Sequence, residues 1–193
     1  MTVDIAEIAR YMRMGRSLPD GELAGRVERM RDEALKTLRT ARVWRRFPIE
    51  GNVIESGGLR IEIRGTIARH IAGCHAAYLV CGTIGAEFDA FQRRVSVSSG
   101  VDALVAQAIG AALIEKWMDE TNAEIEKELE PGESIVSRYS PGYGDFPLSE
   151  QRTIFKLLDT SHKIGVSLTD NLLMVPSKSV SAVIGVKKGT KAE

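Results

Sequence analysis

Apolar side chains recur at helical spacing from the start of the chain. Ile5, Ile8, Ala9 and Met12 predict a helix over residues 4–14. Pro19-Asp20 opens a second helix, with Leu23, Val27, Met30, Ala34, Leu35 and Leu38 on one face. The period then shortens. Residues 43–49 and 53–54 read as extended, and Leu59-Arg-Ile-Glu-Ile63 alternates apolar with charged residues, as a half-buried strand does. Gly57-Gly58 supplies the turn before it.

Thr66 is positioned to cap a short helix through Ile67 and Ile71 that stops at Gly73. Residues 76–81 form a continuous apolar run, a buried strand closed by Gly82-Thr-Ile-Gly85. Helical spacing returns from Glu87 to about Ile125, interrupted at residues 96–100. The later piece carries Leu104, Ala108, Ala111, Ala112, Ile114 and Trp117, an apolar face broad enough for a central, covered helix. Pro131-Gly132 ends it, and residues 134–147 read as a loop. A short helix capped by Ser149 runs to Leu158, followed by strands at 165–168, 172–175 and 180–186 and a charged tail from Lys187 expected to fray. This mixed order without βαβ repeats predicts an α+β fold, a twisted antiparallel sheet with flanking helices. Residues 1–50 are expected to form a helical N-terminal arm and residues 51–193 the main domain.

A chain of 193 residues suits one such domain with a small attachment. Lys plus Arg and Asp plus Glu both number 26, which gives no electrostatic pull toward nucleic acid or anionic membrane. Arg42, Arg45 and Arg46 beside Trp44 and Phe47 fit a solvated strand face as well as an RNA patch. The first sixteen residues hold no secretory apolar core, and no later run reaches the ~18 apolar residues of a membrane helix. With two cysteines, Cys74 and Cys81, the chain is expected to be cytoplasmic with reduced thiols.

His70, Cys74 and His75 lie close in sequence, but Gly73 interrupts their helix and no fourth ligand is near, so no metal site is expected. Asp145, Glu150 and Asp170, or Ser140 with His162, lack the local signature of a hydrolytic site. The segment with distinctive chemistry is Arg138-Tyr-Ser-Pro-Gly-Tyr143. Arg138 offers a planar fork matched to a carboxylate. Pro141 stiffens the loop, Gly142 admits close backbone approach, and Tyr143 adds a flat apolar face with a polar tip.

Arg138-Tyr-Ser-Pro-Gly-Tyr143 resembles the Arg-x-x-x-Gly-Tyr signature of the activation domain of vitamin B12-dependent methionine synthase. Residues 154–158, 165–169 and 174–181 are similar to that domain's continuation in order and spacing, and the likeness extends upstream to about residue 59. In that family the domain binds S-adenosylmethionine and docks over cob(II)alamin. An electron from a flavodoxin-like donor gives cob(I)alamin, which the sulfonium methyl then traps as methylcobalamin.

The resemblance implies that Arg138 holds the methionyl carboxylate, that Ser140, Pro141 and Gly142 line the ligand, and that Tyr143 lines the methyl-donor site near the corrin and is the residue closest to catalysis. Glu115 matches a carboxylate facing the ligand's ammonium, and Glu133 a second acid just before the loop. The family's N-terminal ligand-binding acid and a late tyrosine have no counterpart here, and Gly144 replaces a proline, which predicts a looser loop. The cobalamin-binding Asp-x-His-x-x-Gly motif is absent. A standalone activation subunit contacting cobalamin on a partner methionine synthase or related corrinoid protein is the expectation, with a non-catalytic docking module or an activator of another corrinoid methyltransferase as the alternatives.

Overall fold

The computed structural model describes residues 1–189. Its elements are α1 (Ile5–Tyr11), α2 (Gly21–Thr37), β1 (Ala41–Pro48), β2 (Val53–Ser56), β3 (Leu59–Glu62), α3 (Gly65–His70), β4 (Cys74–Thr83), α4 (Ala86–Ser98), α5 (Gly100–Lys127), β5 (Glu133–Ile135), α6 (Glu150–Leu158), α7 (Thr160–Ile164), β6 (Ser167–Leu168), β7 (Met174–Val175) and β8 (Ser179–Lys188). Four strands form one antiparallel sheet in the order β1-β4-β8-β5, and β2-β3 and β6-β7 are separate hairpins.

The sheet is covered on both faces, which explains why β4 reads as an unbroken apolar run. Its alternate residues serve two different cores. Ala76, Tyr78 and Val80 join Ile184 and Val186 of β8 beneath the layer of α1, α2, α4 and α5. Ala77, Leu79 and Cys81 join Val183 beneath α3, α6 and the β2-β3 hairpin. Burial pushes the Cys81 thiol up to about 12, so it is an inert packing group. Helix α5 crosses close to β4 at Gly82, where a Cβ would lie 2.6 Å from the Met118 sulfur.

The N-terminal helices belong to the first of these cores: Ile8 and Val27 are fully buried in it. Asp4 caps α1 by accepting from the Glu7 amide at 2.7 Å. Strand β1, on the arm's side of residue 50, pairs along its whole length with β4. Its cationic side chains are locally absorbed. The Arg42 guanidinium lies 4.3 Å from the Trp117 ring and 5.5 Å from Trp44, and that of Arg45 lies 4.2 Å from Phe47.

Several local expectations change. Thr66 lies inside α3 rather than at its cap. Ser149 occupies the N-cap position of α6 with helical dihedrals and makes no side-chain cap bond. Residues 133–135, expected as the edge of a loop, form β5, a strand too short to show a period in sequence. Lys187 and Lys188, placed in the fraying tail, end β8, and the tail's residues 190–193 lie outside the described residues.

Candidate functional site

The Arg138 segment runs along the free edge of β8 beyond β5. The Tyr139 amide and carbonyl exchange hydrogen bonds with Val183 at 2.9 Å each way, so the residues on either side are held in register with the sheet. Facing them is α5. Glu115, Asp119 and Asn122 recur at four and three residues on that helix and therefore lie on one face. These three, with residues 137–140, Tyr143 and Val180, line a cleft of about 370 Å³.

Arg138 is the cleft's fixed cation, with 15 % of its side chain exposed. Its Nη2 donates to Glu115 Oε2 at 2.8 Å and to Asp119 Oδ1 at 2.9 Å. Its Nη1 is buried with no hydrogen-bond partner, and the same holds for Asn122 Oδ1. An unpartnered buried donor is costly, so this nitrogen gains from any acceptor that reaches it.

Beyond Arg138 the chain turns sharply through residues 140–147. Gly142 adopts φ +93°, and its amide donates to the Phe146 carbonyl at 2.8 Å. Tyr139 stacks against His70 at 4.9 Å and meets Tyr143 edge-on at 6.4 Å. Tyr143 itself is 67 % exposed at the mouth of the cleft. The turn is tied to α3 by Asp145, whose carboxylate accepts from both the amide and the hydroxyl of Thr66 and is held below the usual carboxylate range by the hydroxyl's bond first. Asp145 thereby caps α3 from across the fold. Gly144 is not loose: at φ +55° a Cβ there would lie 2.5 Å from the Thr66 hydroxyl, and proline's φ near −65° excludes it from this position.

Of the sequence-predicted residues, Arg138, Ser140, Tyr143 and Glu115 converge on the cleft. Pro141 is buried behind the turn and Gly142 shapes it, so neither lines the cleft. Glu133 is elsewhere. Its nearly buried carboxylate accepts from both terminal nitrogens of Arg46, at 2.6 and 2.9 Å, and from the Glu130 amide at 3.0 Å, and lies 2.9 Å from His75 Nε2. Its place in β5, before the turn, brings it to Arg46 of β1 rather than to the cleft. Asp119 and Asn122, not singled out in the sequence, complete the helix side, the first as a second acid and the second as a neutral amide. Their i+4 and i+7 relation to Glu115 was the available signal.

The Arg46 hydrogen bonds hold the Glu133 carboxyl down at about 2, against an ordinary 4.5. Because the folded value is depressed, the stability from this cluster is full above about pH 4.5 and is lost as pH falls toward about 2. Glu133→Gln is therefore expected to lower the melting temperature near neutral pH, with the gap to wild type closing on acidification. A gap independent of pH in thermal melts would show that the carboxylate's charge is irrelevant.

The other constellations disperse. His70 Nε2 lies 2.7 Å from the Ser137 carbonyl, His75 is on Glu133, and the Cys74 sulfur packs where a Gly185 Cβ would otherwise sit. Among the described residues no three His, Cys, Asp or Glu side chains converge as for a metal, and no helix is long and apolar enough to cross a membrane. His162 pairs with Asp159 on a different surface from Ser140.

Fold and site define a class: an α+β domain in which a long helix and an Arg-x-x-x-Gly-Tyr turn enclose a charged cleft. Residues 104–191 match the family model of the vitamin B12 dependent methionine synthase activation domain. Over 100 % of its length the chain is also similar to 79 % of a solved structure, described as the crystal structure of the MetH reactivation domain bound to AdoHcy, with a TM-score of 0.59 and 16 % identity. That likeness shows the α+β fold. No curated protein matches the chain.

Proposed function

We propose that this chain is an activation subunit that binds S-adenosylmethionine in the α5 cleft and supports reductive remethylation of cob(II)alamin on a partner methionine synthase. The observation that carries this reading is Arg138, buried between two carboxylates with one donor free, in a cleft whose mouth holds an exposed tyrosine. The described volume suits a small ligand. The match of residues 104–191 to the activation-domain family model and a structural neighbour bound to AdoHcy support the same ligand class.

In this reading the free edge of Arg138 takes the ligand's carboxylate, and Glu115 takes its ammonium, two charge-assisted contacts that fix the amino-acid end. When bound, S-adenosylmethionine supplies an electrophilic methyl group on a sulfonium. The protein's own part is positioning: the β8 edge and the Asp145 tie hold the turn, so that Tyr143 stands where a docked corrinoid protein meets the ligand. The electron comes from a flavodoxin-like donor, and the assembly works in the cytoplasm.

Calorimetric titration with S-adenosylmethionine tests the ligand. Saturable binding is expected, and none at millimolar concentration would leave only a docking role. Tyr143→Ala is expected to slow cobalt remethylation in a reconstituted assay by about tenfold or more. Its melting temperature should stay within about 1 °C of wild type, because an exposed side chain contributes little to packing. Loss of the cooperative melt would make Tyr143 a structural residue instead.

A further inference from the structure

The charges that line the cleft do not balance. Glu115, Asp119 and Arg138 are the ionisable groups of opposite sign there, two carboxylates against one guanidinium. Both acids share a single nitrogen of Arg138, while its other terminal nitrogen is buried and unpartnered. A ligand carboxylate on that free nitrogen and a ligand ammonium beside Glu115 cancel each other and leave the excess negative charge in place. Only a ligand with one further positive charge brings the cleft to neutrality.

We infer that Asp119 is a specificity residue that makes the cleft select a sulfonium over the corresponding neutral thioether. The inference rests on the proposed ligand class and adds to it a direction of exchange. Before methyl donation the ligand's second cation is matched by Asp119; afterwards the product is a neutral thioether zwitterion in a cleft with an unmatched carboxylate. The spent ligand is released more readily than the fresh one is lost. Asp119 acts through space on the ligand's charge and takes no part in bond making.

Its side chain is 64 % exposed, so solvent screens the effect, and the preference should be about tenfold rather than thousandfold. The experiment compares dissociation constants for S-adenosylmethionine and S-adenosylhomocysteine by calorimetry on the full chain and on its Asp119→Asn and Asp119→Glu variants. Wild type is expected to favour the sulfonium by about tenfold, a preference that shrinks as salt is raised. Asp119→Asn should bring the ratio to within about twofold of unity, and Asp119→Glu should keep most of it.

The ratio separates charge selection from simple structural support, since losing the bond to Arg138 weakens both ligands alike. Equal weakening of both, or an unchanged ratio in Asp119→Asn, would overturn the role of Asp119 while leaving the ligand class intact. Failure of wild type to bind either ligand would overturn the ligand class, and the inference with it.

Discussion

Replacing Arg138 with alanine is expected to weaken S-adenosylmethionine binding by about a hundredfold or more, the largest effect of any single side chain in the cleft. Two losses combine. The ligand's carboxylate forfeits its charge-assisted partner at the buried Nη1 edge. Glu115 and Asp119, one helical turn apart, also lose the cation they share at 2.8 and 2.9 Å and are left to repel one another. Arg138→Lys separates the two effects. It keeps a positive charge near the acids but cannot span them and a ligand at once, because an ammonium lacks the planar fork. Its affinity should fall between those of alanine and arginine. Calorimetry in low salt reads both, and an alanine variant within threefold of wild type would remove Arg138 from the ligand site.

Gly65→Ala is expected to destabilise the protein by about 3 kcal/mol, lowering the melting temperature by roughly 6–12 °C for a chain of this size. The backbone there sits at φ +59°, where a side chain is strained, and the new Cβ would meet the Asp145 carboxylate at 2.1 Å. Asp145 would be driven off Thr66, so α3 loses its cap and the Arg-x-x-x-Gly-Tyr turn loses its anchor. Gly57→Ala is the matched control. Its φ of +58° is nearly the same, but nothing lies within 4 Å of the added carbon. The difference between the two melts isolates the cost of breaking the tie, and equal losses would mean that backbone strain alone is responsible. Gly65→Ala should also weaken ligand binding, which Gly57→Ala should not.

Legibility in the sequence followed the range of the forces involved. Helices α2, α4 and α5 were apparent because each buries a stripe at its own period, and β4 because a strand covered on both faces needs apolar residues throughout. The caps were less so. A threonine ahead of an apolar run reads as an N-cap, yet the group that serves α3 is Asp145, supplied from a turn 79 residues later in the chain. Gly144 looked like a loosening of the turn because sequence reveals neither its positive φ nor the Thr66 hydroxyl against it.

The candidate site divides the same way. Arg138, Ser140 and Tyr143 lie within six residues and were found together. Glu115 was found through family resemblance, and Asp119 and Asn122 were passed over on a helix rich in surface acids. Glu133 shows the converse: it stands near the motif in sequence, but pairing with β8 points its carboxylate at Arg46 of β1. Glu133 and Arg138 both lie on the α5-covered side of the sheet, but five residues of largely extended chain carry Glu133 toward the Lys188 end of β8 and away from Glu115, so closeness in sequence there does not mean a shared site.

Local periodicity and side-chain chemistry were enough to give the α+β class, the main helices and strands, and the Arg138 to Tyr143 turn as a candidate carboxylate site. Which acids face Arg138, how many they are, and that one of its terminal nitrogens has no partner follow instead from long-range packing. Those properties arise where α5 crosses the sheet beside the edge of β8, and the charge excess exists only once elements 23 and 19 residues apart in the chain are brought within hydrogen-bond reach.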